Sequence, residues 1–468
     1  MTKKVHISGI GGTAMVAGAR LALEAGWEVR GSDNPMYPPG STMVEALGVP
    51  VAEGYAAENL DWEPDIVLLG NVLSRGNVEV EAALERRMRY MSLPEWLKEE
   101  VLRPRRPVVI CGTHGKTTTT TMTAHVLTAC GLDPGYLIGG QPLGFKYPAY
   151  LGPVGAPFVI EGDEYDTAFF DKRAKFLHYL PEIAVVTSME FDHGDIYNSM
   201  EEIEIAFQRM LRQIPVSGWL IACADNEAAT LLPHAFGQVT TYGFAMDATW
   251  RGEVLGANNG FQRMAVYNEG RLWGEVEAPV AGRHNLQNVL ASIVVGAILG
   301  ASPKAIAEGV RSFPGVRRRM EVFLETEDMI FIDDFAHHPT AIRETIAAAR
   351  ERWPERRIQV LFEPRSNTTV TNTFQDDLQQ AFSQADFLWL GPIYREERIP
   401  APSRLDREVV CAALRKSGVQ AHAAASVEEI YDGVLESGSA GDLILILSNG
   451  AFGGIYAKFR EHYGMGVH

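Results

Sequence analysis

Short apolar runs alternate with stretches of helical periodicity along almost the whole chain. Residues 5–8 read as a strand, 14–25 as a helix, 27–31 as a second strand and 65–69 as a later one. That alternation predicts a parallel sheet with helical crossovers. Arg103-Pro104-Arg105-Arg106-Pro107 is charged and broken by proline, which predicts a linker. A new strand starts directly after it at 108–111, and others follow at 158–160, 183–187 and 219–223. Residues 237–280 are rich in β-formers and turn residues and predict an added antiparallel piece, while 285–300 reads as a helix. Phe313-Pro314-Gly315-Val316 then interrupts the pattern ahead of three arginines. Beyond it, strands at 329–332, 358–362, 387–390 and 443–447 alternate with helices such as 341–352. The expectation is an α/β chain of three domains, divided as 1–106, 107–314 and 315–468.

A length of 468 residues suits that number, at roughly 150 per domain. Apolar residues at 46% and charged residues at 22% exclude a disordered or fibrous chain. The net charge of −17 argues against indiscriminate nucleic-acid binding and against adhesion to anionic lipid. Any phosphate must therefore be met by local cationic sites inside an acidic envelope. Cys111, Cys130, Cys223 and Cys411 form no C-x-x-C pair and read as small hydrophobes in a reducing compartment. The opening MTKKVHISGIGG reaches glycine before a signal-peptide core could form, and no apolar run approaches the roughly 20 residues that span a bilayer. The expected protein is cytoplasmic, with small-molecule substrates and neither a nucleic-acid nor a membrane partner.

Gly112-Thr113-His114-Gly115-Lys116-Thr117-Thr118 carries the strongest chemical signal, between a predicted strand and a predicted helix. A phosphate chain needs converging backbone N–H groups, and glycine lets the backbone approach closely. Lys116 would add a point charge on the β- and γ-phosphates, and Thr117 a hydroxyl for Mg²⁺. Ile110 stands where a full P-loop signature has its first glycine. Gly9-Ile10-Gly11-Gly12-Thr13-Ala14, with Asp33 following 24 residues after Gly9, is similar to a dinucleotide fingerprint. Alone it suits a nicotinamide dinucleotide as well as another diphosphate. Next to a P-loop, it suggests that one domain takes ATP and the other a diphosphate-linked substrate.

Two acidic stretches, Glu161-Gly162-Asp163-Glu164 and Glu190-Phe191-Asp192-His193-Gly194-Asp195, each follow a predicted strand. Carboxylate and imidazole at neighbouring strand ends can hold Mg²⁺, at the edge where α/β sheets place ligands. Gly282-Arg283-His284-Asn285-Leu286-Gln287-Asn288, Arg317-Arg318-Arg319 and Asp333-Asp334-Phe335-Ala336-His337-His338-Pro339 come later. An arginine triplet is more often a solvated face than a site. Adjacent His337 and His338 point to different sides, so the segment reads as an active-site or hinge loop rather than one metal's ligands.

Taken in order, these motifs resemble the Mur ligases, ATP-dependent amide-forming enzymes of peptidoglycan synthesis, over essentially the whole chain. Tyr37-Pro38-Pro39-Gly40-Ser41-Thr42, Gly70-Asn71, the run from Asp163 to Arg173, Glu363-Pro364-Arg365-Ser366-Asn367-Thr368 and Ser448-Asn449-Gly450 resemble one branch in particular. That branch joins UDP-N-acetylmuramate to the recycled tripeptide L-Ala-γ-D-Glu-meso-diaminopimelate. The branch that adds free L-alanine is the alternative, and it is less similar around EGDEYD and EPRSNT.

The resemblance implies a Rossmann-like first domain, a central P-loop ATPase and a Rossmann-like third domain closing on ATP and the peptide. It implies an acyl-phosphate mechanism with ATP and two Mg²⁺ ions. Lys116, His193, His338 and Glu161 would be catalytic, and Thr117, Glu161 and His193 would hold metal. Gly112, Thr113, His114, Gly115, Lys116, Thr117 and Thr118 would bind ATP, together with His284, Asn285, Arg319 and Asp334. Gly9, Gly11, Gly12, Thr13, Ala14, Met15, Asp33 and Asn71 would bind the UDP-substrate. Arg365, Arg395 and Arg398 are candidates for the peptide carboxylates, from their placement near strand ends of the third domain. Two features qualify the likeness. No lysine lies between Lys175 and Lys304 to supply the carbamylated ligand of some members, and Ser188 replaces a frequent asparagine. A nicotinamide dehydrogenase would leave Lys116, Glu161 and His193 without a task, and a regulator without turnover would leave the catalytic set unused.

Overall fold

In the computed structural model of the chain, residues 2–37, 40–191, 196–197 and 199–464 are described. Lys4–Ser8, Glu28–Asp33, Val51–Glu53, Ile66–Leu69 and Tyr90–Ser92 form a parallel five-stranded sheet in the order 3-2-1-4-5. Ile66–Leu69 is buried at every position, as expected for a strand covered on both faces. The order reverses between the first and fourth strands, so the loop after Ser8 opens into the crevice of a topological switch point.

The second sheet has ten strands. Arg106–Cys111 lies at its centre between Pro157–Gly162 and Ile183–Val186, all parallel. The expected antiparallel addition is present as Trp250–Asn258, Phe261–Asn268 and Arg271–Ala278, extending the sheet beyond Gln238–Gly243. The third sheet has six strands, parallel except for Glu321–Glu325 at one edge. No helix among the described residues is long and apolar enough to cross a membrane.

Both expected connectors are firmer than their composition suggests. The central strand starts at Arg106, so a division after residue 106 falls one residue inside it. Arg105 is buried, and its guanidinium donates to the carbonyls of Val101 and Gly152 at 2.8 Å each. A charged, proline-broken string reads as solvated linker, but here the carbonyls at the joint need donors and take them from the arginine. Phe313 and Val316 are likewise buried, and Leu143 N–H donates to Gly315 O at 3.2 Å.

The apolar core is continuous through the first two domains, from Trp27 and Trp96 to Phe158 and Phe207. The third domain builds two clusters of its own, joined by little more than Ala281 from the central domain. A further tie comes from the hairpin of Asp166–Ala168 and Asp171–Ala174. Phe169 and Phe170 at its tip pack on Leu60, Val67, Leu69 and Leu73 of the first domain, with Phe170 edge-on to Tyr90 at 5.1 Å. The central domain thus grips the first, while the third is held separately.

Inside the first domain, Glu79 is fully buried and ties three elements together. Its carboxylate accepts from Ser8 Oγ at 2.5 Å, Ser32 Oγ at 2.6 Å and Asn59 Nδ2 at 2.6 Å, with His6 Nε2 at 3.5 Å. Burial opposes its ionisation, but these donors outweigh it and hold its pKa at about 2. A carboxylate depressed from 4.5 stabilises the fold above that pH and loses the contribution as pH falls toward 2. Glu79→Ala should therefore lower unfolding stability at neutral pH by about 3 kcal/mol. In urea titrations it should also flatten the decline of stability between pH 4.5 and 2 that the unsubstituted chain shows.

Candidate active site

The C-terminal ends of strands in all three sheets border one cavity of about 1100 Å³. The phosphate-type loop leaves the central strand at Cys111 and ends where Lys116 opens the helix Lys116–Ala129. Gly112 has φ of 127° and Gly115 of 80°, both in the region that L side chains avoid. A Cβ on Gly112 would meet Thr187 Oγ1 at 2.4 Å, and one on Gly115 would meet Asn288 Oδ1 at 2.7 Å. The neighbouring loop after Ile183–Val186 braces this turn. His114 N–H donates to Ser188 Oγ at 2.9 Å, Thr187 Oγ1 donates to His114 O at 2.5 Å, and Glu190 N–H donates to Thr113 Oγ1 at 2.9 Å. Ser188, the odd residue of its motif, thus anchors the phosphate loop.

Lys116 Nζ donates to Gly112 O at 2.6 Å and to both carboxylate oxygens of Glu164, at 3.0 and 3.1 Å. Burial disfavours the lysine charge, but Glu164 and Asp163 outweigh it and raise the pKa above the ordinary value. Thr117 Oγ1 donates to Glu161 Oε2 at 3.2 Å, and Gly139 N–H donates to the other oxygen at 2.7 Å. Burial pushes the Glu161 pKa up despite these bonds and the nearby Lys116 and Arg319. A hydroxyl and a carboxylate side by side fit a hard divalent cation, whose charge would relieve that penalty.

The first domain contributes Gly9, Gly12, Thr13, Ala14, Met15, Asp33 and Asn71 to the cavity wall. Gly11 is not among the lining residues; its N–H instead donates to Asp33 Oδ2 at 2.7 Å. Tyr55 OH donates to the other Asp33 oxygen at 2.8 Å, and the carboxylate beside it helps burial raise the tyrosine pKa. Asp33 therefore spends its acceptors stiffening the glycine turn, a use that the dinucleotide likeness did not predict. Asn71 Nδ2 donates to Asp166 O at 3.2 Å, joining the wall to the hairpin.

His284 and Asn285 line the cavity at the start of the helix Arg283–Ile298. His284 Nδ1 lies 3.3 Å from Glu344 Oε2, and Asn285 Nδ2 donates to Ala281 O at 2.9 Å. Arg319 and Asp334 reach the same space from the third domain. Asp334 accepts from Met320 N–H at 2.7 Å and Ala336 N–H at 2.8 Å, which shapes the loop carrying His337 and His338. His338 is buried and lines the cavity, whereas His193 lies outside the described residues.

Of the three arginines expected to read a peptide, the cavity wall includes Arg365, next to Ser366, Asn367, Thr368 and Asn449. Arg365 stacks on Tyr394 at 3.7 Å. Arg395 and Arg398 are not in that wall. Arg395 has φ of 53° and turns the chain into the short helix Glu396–Arg398, leaving both side chains exposed. Proximity to a strand end in sequence did not reveal that reversal. The pairing of Glu164 with Lys116 and of Asp163 with Lys175, at 2.6 Å, also went unread although both acids stood in a marked motif. Their partners lie 48 and 12 residues away, so the signal needed the fold.

Family comparisons agree with this architecture. The Mur ligase family, catalytic domain, matches residues 4–103; the Mur ligase middle domain matches 110–296; the Mur ligase, glutamate ligase domain, matches 318–450. The chain is 39% identical over 462 residues to UDP-N-acetylmuramate–L-alanyl-gamma-D-glutamyl-meso-2,6-diaminoheptandioate ligase of Escherichia coli (strain K12), covering 98% of each chain. It is 34% identical to UDP-N-acetylmuramate–L-alanine ligase of Endomicrobium trichonymphae, over 96% of each. The crystal structure of a murein peptide ligase from Psychrobacter arcticus 273-4 superposes with a TM-score of 0.72 at 35% identity, covering 100% of both chains.

Any phosphate drawn to Lys116 would compete with Glu164 for its charge. Glu164→Gln removes that competitor, and ADP should bind about tenfold more tightly, in the range expected for losing one nearby like charge. Isothermal titration calorimetry measures this directly. Weaker binding would mean that Glu164 serves mainly to align the lysine.

Proposed function

The chain belongs to the Mur ligase family, and from that premise we propose that it joins UDP-N-acetylmuramate to L-Ala-γ-D-Glu-meso-diaminopimelate in peptidoglycan recycling. It is an ATP-dependent ligase that forms a C–N bond. The observation that carries the substrate reading is the convergence of three strand-end regions on one cavity. The glycine turn of the first domain, the phosphate loop of the second and the Arg365 segment of the third all line it.

The chemistry follows from what a carboxylate lacks. Its carbon is a poor acylating centre, so the muramate carboxylate first attacks the γ-phosphorus of ATP, releasing ADP and forming an acyl phosphate. The tripeptide amine, having lost its ammonium proton to solvent, then attacks the acyl carbon. The tetrahedral intermediate gives up a second nitrogen proton to solvent and collapses to the amide as the C–O bond to inorganic phosphate breaks. The first step brings anions together, and cations in a dry site are the means of offsetting that. Lys116 would leave Glu164 for the β- and γ-phosphates, and Arg319 would approach from the third domain. Thr117 and Glu161 would hold Mg²⁺, which neutralises triphosphate charge when bound. His193 would serve a second ion. His284 and Asn285 would face the adenine, and His338 would sit near the reacting groups. Arg365 would meet a peptide carboxylate, for which its planar fork is suited.

With ATP, Mg²⁺ and UDP-N-acetylmuramate, phosphate release should require the tripeptide and should not occur with free L-alanine. Mass spectrometry should find the UDP-linked tripeptide. Turnover with alanine alone would instead make this a first-step ligase, as the 34% identity to such an enzyme allows. Lys116→Ala should lower kcat by at least about a thousandfold while UDP-N-acetylmuramate binding, measured by calorimetry, persists. Arg365→Ala should raise KM for the tripeptide at least about tenfold and leave KM for ATP nearly unchanged.

A further inference from the structure

The cavity that holds the oxygen pair of Thr117 and Glu161 is also lined by a second group of donors with different chemistry. His114 belongs to the phosphate loop, Glu190 to the loop that braces it, and His338 to the third domain, where it caps the helix Pro339–Arg352. Glu190 Oε2 lies 3.6 Å from His114 Nε2 and 4.0 Å from His338 Nδ1, whose long cap bond from Thr340 N–H at 3.4 Å an ion would replace, and one ligand atom from each residue falls within 4.8 Å of the others. The imidazole ring centroids of His114 and His338 lie 4.8 Å apart, with the planes tilted by 41°. Thr340 Oγ1 donates to Glu190 Oε2 at 2.8 Å, fixing the carboxylate's orientation. His114 Nε2 is buried and makes no hydrogen bond among the described residues.

We propose that His114, Glu190 and His338 bind a borderline divalent transition metal of the Zn²⁺ class, in a site completed only when the third domain is docked. Two imidazoles and one carboxylate are the donors such ions select, whereas Mg²⁺ prefers oxygen and water. A tetrahedral ion with bonds of roughly 2 Å holds its ligand atoms about 3.3 Å apart. The three groups therefore need to close by no more than about 1.5 Å from their largest separation. Three protein ligands leave a fourth position, and all three residues line the main cavity, so water or a phosphate oxygen can fill it. Thr340 plays the orienting part that hydrogen-bonded neighbours of metal ligands commonly play. Because one ligand comes from the third domain and two from the central one, bound metal stabilises the docked arrangement by linkage. This site does not depend on which substrates the ligase joins.

The test uses the full chain stripped with chelator and then given Zn²⁺ or the spectroscopic probe Co²⁺, with Mg²⁺ in excess. One equivalent of Zn²⁺ should survive gel filtration and raise the thermal unfolding midpoint. Co²⁺ should give a visible spectrum that Zn²⁺ abolishes. His338→Ala and Glu190→Gln should each weaken Zn²⁺ binding at least tenfold and remove the rise in midpoint, while His193→Ala leaves both. Should His338→Ala unfold, Glu190→Gln and His114→Asn carry the test, with the metal-free unfolding midpoint as the folding control. Failure of the wild-type chain to retain Zn²⁺ in excess Mg²⁺ overturns the proposal. So does binding lost in His193→Ala but kept in His338→Ala, which would put the ion on the neighbouring motif.

Discussion

A lysine ammonium cannot be withdrawn from water without a counter-charge, and the centre of this protein is arranged around that constraint. Lys116 is held by Glu164 and Gly112 O, on a loop that curls only because Gly112 and Gly115 adopt positive φ. Glu164 belongs to the segment that continues into the Asp166–Ala168 hairpin, and the tip of that hairpin is sunk in the first domain. Tyr197 OH donates to the Glu164 backbone carbonyl at 2.8 Å, fixing the same segment from the other side. The placement of the Lys116 ammonium and the docking of the first domain are thus set by one short stretch of chain.

The division of apolar core follows a related logic. The first and central domains share a continuous core, so the Gly9–Thr13 turn and the Gly112–Lys116 loop are carried on one packed body. The third domain packs its own sheet on both faces and meets the others around the cavity through groups such as Arg319, Thr340 and His338. Polar contacts exchange for water at modest cost, whereas an apolar core does not. A ligase that must admit three substrates and then exclude water would gain from this arrangement, because a domain without a shared core is the one free to move against the others.

Much of this was legible in the chain. The strand at 219–223 and the one at 387–390 end where the apolar runs end. Buried parallel strands have to be continuous apolar runs, and the polar Asp225-Asn226 after one and Gly391 after the other mark where they stop. The antiparallel extension at 250–278 was also visible, because its turns carry Asn259-Gly260 and Glu269-Gly270. Less legible were the connectors. Arg105 stood in a string read as linker and Phe313 in one read as a break in the pattern, and both are buried because carbonyls and apolar surface at the domain joints need partners. Asp33 lines the cavity as its motif suggested, and its bond to Gly11 N–H was not legible, since which N–H a carboxylate meets depends on how the turn folds.

What the sequence by itself determined is the set of three α/β domains, the phosphate loop with Lys116 and Thr117, the glycine turn at Gly9–Thr13 and the family to which they belong. These are local features: periodicity, turn chemistry and spacing are written within a few tens of residues. What only the tertiary structure decided is which charges meet. Glu164 reaches Lys116 across 48 residues, Thr340 reaches Glu190 across 150, and Arg365 enters the cavity while Arg395 and Arg398 turn away. Electrostatic pairing depends on distance in space and on the dielectric around it, and neither quantity exists until the three sheets have brought their strand ends together.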